Sequence, residues 1–183
     1  MSQPILLNYR GSAGLDDMNA FNARTNVGLK GDLLFRIYLT SEAIYFIKVG
    51  GSKQQAQVVA AQFGLLGILI GHFLKKRATQ KTQEKLNAVA GVAPEQLLAA
   101  DKVNKVAPVT ECTEMCINPR SFLSGARFGT WTFRDAKGKK RTYTFDDADN
   151  FLAAVERLSK TFGEKVQVKA QLHPSRKKTI KIT

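Results

Sequence analysis

The chain has 183 residues, 44% of them hydrophobic and 23% charged, a balance that allows a packed core and excludes wholesale disorder. Its 28 Lys+Arg against 15 Asp+Glu leave a formal charge of +13, which favours polyanionic partners such as nucleic acid or an anionic membrane face. The two cysteines exclude a disulfide framework of the secreted kind, and the opening MSQPILLNYRGS has neither the basic start nor the apolar run of a signal peptide, so the expected setting is the reducing cytoplasm.

Residues 1–31 are weakly patterned. Ile5 to Tyr9 has the makings of a short strand, and the Gly, Asp and Asn residues from Gly11 to Asn26 read as loop. Next, Leu33, Phe35, Ile37 and Leu39 alternate with Leu34, Arg36 and Tyr38. After Thr40-Ser41-Glu42, Ala43, Tyr45, Ile47 and Val49 alternate with Ile44, Phe46 and Lys48. The spacing predicts a β-hairpin covered on both faces and ended by Gly50-Gly51.

From Lys53 to Val89 there is no proline, and the pattern predicts one long helix or two in succession. Its first part, VVAAQFGLLGILIGHFLKKR, is nearly apolar over 58–74 and then stops on Lys75, Lys76 and Arg77. As a helix that apolar run spans roughly 25 Å, short against a hydrocarbon core of about 30 Å. Ala60, Gly64, Gly67 and Gly71 share one helical face, where small residues let another backbone approach closely. Phe63, Leu66, Ile70 and Phe73 form a separate apolar face. A helix apolar all round is buried in something: its own sheet, a twin subunit, or lipid.

Pro94 suits the first turn of a short helix, PEQLLAADKVNK. Residues 106–118 read as extended, with Cys112, Glu114 and Cys116 on one face of the strand. GTWTFRDAKGKKRTYTF predicts a second hairpin with Trp131 and Phe133 on one face of its first strand, Tyr143 and Phe145 on one face of its second, and a loop from Asp135 to Lys140. Phe151, Val155, Leu158 and Phe162 fall on one stripe of a helix that Asp146 or Asp147 can cap and Gly163 can end. The remaining residues predict a short strand and then a basic tail.

Three segments resemble the bacterial pleckstrin-homology-like and GRAM-like domains: LLFRIYLTSEAIYFIKVG, the run from DKVNKVAPVTECTEMCI to GTWTFRDAKGKKRTYTF, and the closing FLAAVERL. The resemblance implies an α+β fold, an antiparallel bent sheet or partly open barrel capped by a C-terminal helix. It implies a binding module for membranes, lipids or peptides rather than an enzyme. On this reading residues 1–183 form one domain, 53–100 are a long helical insertion within it, and 164–183 are a basic C-terminal segment. If the hairpins before and after the insertion share one sheet, both ends of the insertion return to the same side, which opposes a single membrane crossing.

No catalytic or cofactor-binding set stands out. Ser121, Ser124 and Ser159 have no evident base, no phosphate-binding glycine loop is present, and Cys112 and Cys116 lack two further ligands at zinc spacing, so no metal or cofactor is expected. The expected function is a non-catalytic module associated with an anionic membrane surface or lipid, peripheral to or anchored in its inner face. Lys75, Lys76, Arg77, Lys139, Lys140 and Arg141 are the ionic contacts. Phe63, Gly64, Leu66, Gly67, Ile70, Gly71 and Phe73 supply the apolar anchor or a dimer interface. The alternatives are a soluble homodimeric scaffold with that helix between subunits, and a basic nucleic-acid-binding module.

Overall fold

The computed structural model of the chain describes residues 19–26, 32–51, 80–81, 84–85, 87, 92, 94–120 and 126–182. They form an α+β architecture. Three strands open it: β1 (Ala20–Asn26), β2 (Asp32–Leu39) and β3 (Ala43–Gly50). A short helix α1 (Pro94–Ala100) precedes β4 (Lys105–Pro108), and a 3-10 turn (Val109–Glu111) leads into β5 (Thr113–Asn118). The hairpin β6 (Thr130–Arg134) and β7 (Lys140–Thr144) follows, then helix α2 (Ala148–Phe162), β8 (Val166–Val168), β9 (Ala170–Leu172) and β10 (Thr179–Lys181).

The main sheet runs β4-β3-β2-β1-β7-β6-β5-β8, antiparallel except where β8 lies parallel to β5. β9 and β10 make a separate two-stranded ribbon. Both predicted hairpins therefore belong to one sheet, joined where Arg24 of β1 pairs with Thr144 of β7. The Arg24 guanidinium clamps this seam by donating to both carboxylate oxygens of Asp146, the closest at 2.6 Å.

The sheet is curled on itself. In a flat sheet β3 and β6, four strand spacings apart, would be separated by about 19 Å. Instead the rings of Phe46 on β3 and Phe133 on β6 lie 6.0 Å apart. Alternation explains what fills the inside. Phe21 and Ala23, Phe35, Ile37 and Leu39, Ile44 and Phe46, Trp131 and Phe133, and Tyr143 all face one buried core. Helix α2 closes that core with Phe151, Ala154, Leu158 and Phe162. The opposite face of β1–β3 buries Ala20, Tyr38, Ala43, Tyr45 and Ile47 against Leu97 of α1.

The loop expected through Asn26 is corrected: Ala20–Asn26 is a strand flanked by β2 and β7. The basic C-terminal segment carries three short strands rather than one and a tail. The expected strand at Ile5 to Tyr9, and nearly all of the inserted helix, lie outside the described residues. Of that insertion Gln80, Lys81, Glu84, Lys85 and Asn87 are helical and exposed.

The ends of the insertion are informative. Gly51 follows β3 directly, and the return of the chain is tied to the same strand. The Lys48 backbone N–H donates to Asn104 Oδ1 at 2.7 Å, Asn104 Nδ2 donates to the Leu97 carbonyl at 2.6 Å, and the Lys48 ammonium pairs with Asp101 at 3.0 Å. The chain thus leaves and returns at the same strand. No helix among the described residues is long and apolar enough to cross a membrane.

Candidate polyanion-binding surface

The β6–β7 hairpin presents a dense set of cations, Arg134, Lys137, Lys139, Lys140 and Arg141. Its turn runs from Asp135 to Lys139, with Gly138 at φ 69°. The Asp135 backbone organises it: its N–H donates to the Lys139 carbonyl at 3.1 Å, and its carbonyl accepts from the Gly138 N–H at 2.7 Å. The side chain adds more, since Asp135 Oδ1 accepts from the Lys137 and Lys139 backbone N–H groups at 3.1 and 3.0 Å.

The turn sorts its cations by geometry. Arg141 folds back on Asp135, with Nη2 2.6 Å and Nε 2.7 Å from Oδ2. Arg134 donates to Glu114 Oε2 at 2.7 Å and to the Gly138 carbonyl at 3.0 Å. The two guanidiniums, whose planar forks suit bidentate bonding, therefore brace the hairpin. Lys137, Lys139 and Lys140 are left exposed, with no ion pair among the described residues. Burial pushes the Asp135 pKa up, but the hydrogen bonds from Arg141 and the turn amides and the Arg141 charge outweigh it, so the carboxyl lies below its ordinary range. At neutral pH the brace is fully ionised.

Of the predicted ionic contacts, then, Lys139 and Lys140 stand at the surface and Arg141 is half-buried in an ion pair. Lys75, Lys76 and Arg77, with the apolar set Phe63, Gly64, Leu66, Gly67, Ile70, Gly71 and Phe73, lie outside the described residues. Lys137 joins the site from the turn itself. Nearby, Lys140 lines an open groove across the outer face of β5, β6 and β8 with Arg134 and Lys169. Arg120, Lys178 and Lys181 form a separate basic surface along β10.

The cysteines part company. Cys112 is buried in the main core, whereas Cys116 faces the opposite side and its thiol lies 3.2 Å from Asn118 Oδ1. Their expected common face is corrected, because the β5–β6 register shifts between Thr113 and Cys116 and Glu114 takes φ 52° there. Burial pushes the Cys112 thiol up to about 11, helped by the charges of Glu111 and Asp135, so it is an inert thiol at neutral pH. No group of three or more metal-ligating side chains occurs among the described residues.

Behind the hairpin lies a cavity of about 230 Å³ between β4, the 3-10 turn and the β6–β7 turn. Phe46 and Phe133 line it, with Lys105 of β4 and Arg141 of β7. The Lys105 ammonium sits 4.9 Å from the centre of the Phe46 ring and 5.7 Å from that of Tyr143. Burial lowers its pKa to about 8, with repulsion from Arg141 adding and Asp135 opposing. Sequence reading missed Lys105, because nothing in VNKVAP marks a lysine that the fold turns inward.

Comparison of the chain with protein-family models, with curated proteins and with solved structures returns no match.

Proposed function

We propose that the chain is a non-catalytic binding module of pleckstrin-homology-like build that docks on anionic membrane surfaces through its β6–β7 hairpin. The observation that carries this is the set Lys137, Lys139 and Lys140, exposed and unpaired among the described residues on a turn held by its own arginines and aspartate. A rigid cationic prong loses little conformational freedom on contact, and each lysine near an anionic surface contributes about 1 kcal/mol. The likeness in build is supported by the meander β1–β4, the return of β7 to β1 and the helix α2 packed across the core. The segment 58–74 would supply the apolar part of the contact, since it is the most apolar run in the chain.

Sedimentation with phosphatidylcholine vesicles, with and without phosphatidylserine, tests the reading. The expected result is binding only to the anionic vesicles, weakened by salt. The triple variant Lys137→Gln, Lys139→Gln, Lys140→Gln should partition on the order of a hundredfold less. Equal binding to neutral vesicles, or a dimer that ignores vesicles, would overturn the ionic docking. Duplex DNA bound with a steep salt dependence, in place of vesicles, would replace the membrane with nucleic acid.

A further inference from the structure

The basic β9–β10 ribbon stands at the opposite end of the sheet from the β6–β7 hairpin. Strand register fixes this. Thr113 pairs with Arg134 beside the β6–β7 turn, and Asn118 pairs with Thr130 at the far end. Just beyond that far end the chain ties in β10. The Thr179 hydroxyl accepts from the Arg120 N–H at 2.8 Å, and the Thr179 N–H donates to the Arg127 carbonyl, shortly before β6, at 3.1 Å. The turn of the ribbon is closed by the His173 N–H, which donates to the Lys178 carbonyl at 3.0 Å. From Thr130 to Arg134 the strand covers roughly 14 Å, and a cationic turn lies beyond each end. That separation exceeds the Debye length of about 8 Å at physiological salt, so the two charged surfaces are largely screened from one another.

The nearby acids are already engaged. Arg176 donates to Asp149 of α2 at 3.2 Å, Asp147 caps the helix, and Asp146 holds Arg24. Arg127, Lys177 and Lys181 are exposed and Lys178 is half-buried, with no ion pair among the described residues. Lys178 and Lys181 line an open groove of about 340 Å³ with Pro119 and Ile180 and no carboxylate. Ile182, the residue after Lys181, is 42% exposed. Cations beside an exposed aliphatic side chain match the headgroup boundary of an anionic bilayer. A single-stranded nucleic acid would instead be met by aromatic side chains on which its bases stack, and no aromatic side chain is exposed among the described residues.

We propose that the protein bridges two anionic membranes, one held by the β6–β7 hairpin and the other by the β9–β10 ribbon. The proposal rests on the docking reading and adds a second surface to it. The ribbon is the weaker contact, since Lys178 is half-buried. A vesicle coated with docked protein presents many ribbons at once, and multivalency makes up the difference.

The test uses vesicles of phosphatidylcholine and phosphatidylserine fixed on beads, loaded with the full chain and washed. Fluorescent vesicles of the same composition are then added. The expected result is capture of the second vesicles, with none on beads that carry no protein. The ribbon variant Lys177→Gln, Lys178→Gln, Lys181→Gln should load on the first vesicles within about threefold of the parent and capture on the order of tenfold fewer second vesicles, or less. An unchanged thermal unfolding curve separates lost capture from lost folding. A parent chain that does not load on the first vesicles would overturn the docking reading and the bridge with it. Loading without capture, or capture undiminished in the ribbon variant, would overturn the bridge and leave the docking intact. So would capture of single-stranded RNA in place of the second vesicles.

Discussion

Gly129 enters β6 at φ 81°, and a side chain there would overlap the carbonyl oxygen of Asn118 and press on the Thr179 hydroxyl. The close approach is structural. Gly129 accepts from the Phe145 backbone N–H at 3.2 Å, and Thr179 accepts from the Arg120 N–H at 2.8 Å, so this point gathers β5, β6, the end of β7 and β10. Gly138 has a similar φ, 69°, but open space where its Cβ would stand. The pair separates two costs. Gly138→Ala should lose about 1 kcal/mol, the cost of a left-handed alanine. Gly129→Ala carries that cost plus a backbone collision and should lose about 3 kcal/mol or more. Urea denaturation of both variants measures the difference, and equal losses would show that the Asn118 approach relaxes freely. Neither demand is visible in the chain, where FGTW and AKGK look equally like turns. Glu114 is the converse case. Its left-handed φ of 52° falls on a residue nothing in the sequence marks, and it is what sends Cys112 and Cys116 to opposite faces.

Helix α2 shows how far periodicity reaches at the scale of an element. The stripe of Phe151, Leu158 and Phe162 is buried as the spacing demands, but the fourth buried position is Ala154, and Val155 is half-buried. A small residue, fully buried, takes a place in the core stripe, a fact of packing that hydrophobicity alone does not rank. The N-terminus was legible: Asp147 accepts from the Asn150 N–H at 2.8 Å. What was hidden is that this cap also holds the sheet. Asn150 Nδ2 donates to both oxygens of Asp147, and Asn150 Oδ1 accepts from the Asn22 backbone N–H at 2.7 Å. Strand β1 was hidden for the same reason. AFNARTN has the polar content of a loop, and it becomes a strand because β2 and β7 occupy both its edges and Phe21 and Ala23 enter the core. The cap therefore predicts more than a helix end. Asp147→Ala should cost about 1–2 kcal/mol, whereas Asp147→Asn, which still caps, should cost well under half of that. Amide hydrogen exchange at Asn22 should rise in Asp147→Ala, and an unchanged rate would separate the cap from the strand.

At the scale of the whole molecule, the two halves of the sheet meet through little backbone. The described β1–β7 pairing is a single register pair, Arg24 with Thr144. The aromatic interior does the rest. Phe46 from the first half lies 6.2 Å from Trp131, 6.0 Å from Phe133 and 5.1 Å from Tyr143, all from the second. Alternation in the sequence sorts these residues to inner faces strand by strand. It contains no term for which faces meet, and that is why alternation alone did not show the curl of the sheet, which only the resemblance implied, or the inward turn of Lys105, while the exposed cations of the KGKK turn were readable. Phe46 is fully buried and, among the described residues, is the ring that touches β2, β6 and β7 neighbours together. Truncation to alanine removes contacts on both sides of the seam and leaves a cavity, so Phe46→Ala should lose about 3–5 kcal/mol, a large part of a typical total of about 5–15 kcal/mol. The halves share that core, so they should fail together. Unfolding followed by Trp131 fluorescence and by far-ultraviolet circular dichroism should give coincident transitions in the parent chain, and both should move by the same amount in Phe46→Ala. Two separated transitions would mean that β1–β4 and β5–β8 stand independently, and that the aromatic contact between them is an interface instead of a shared core.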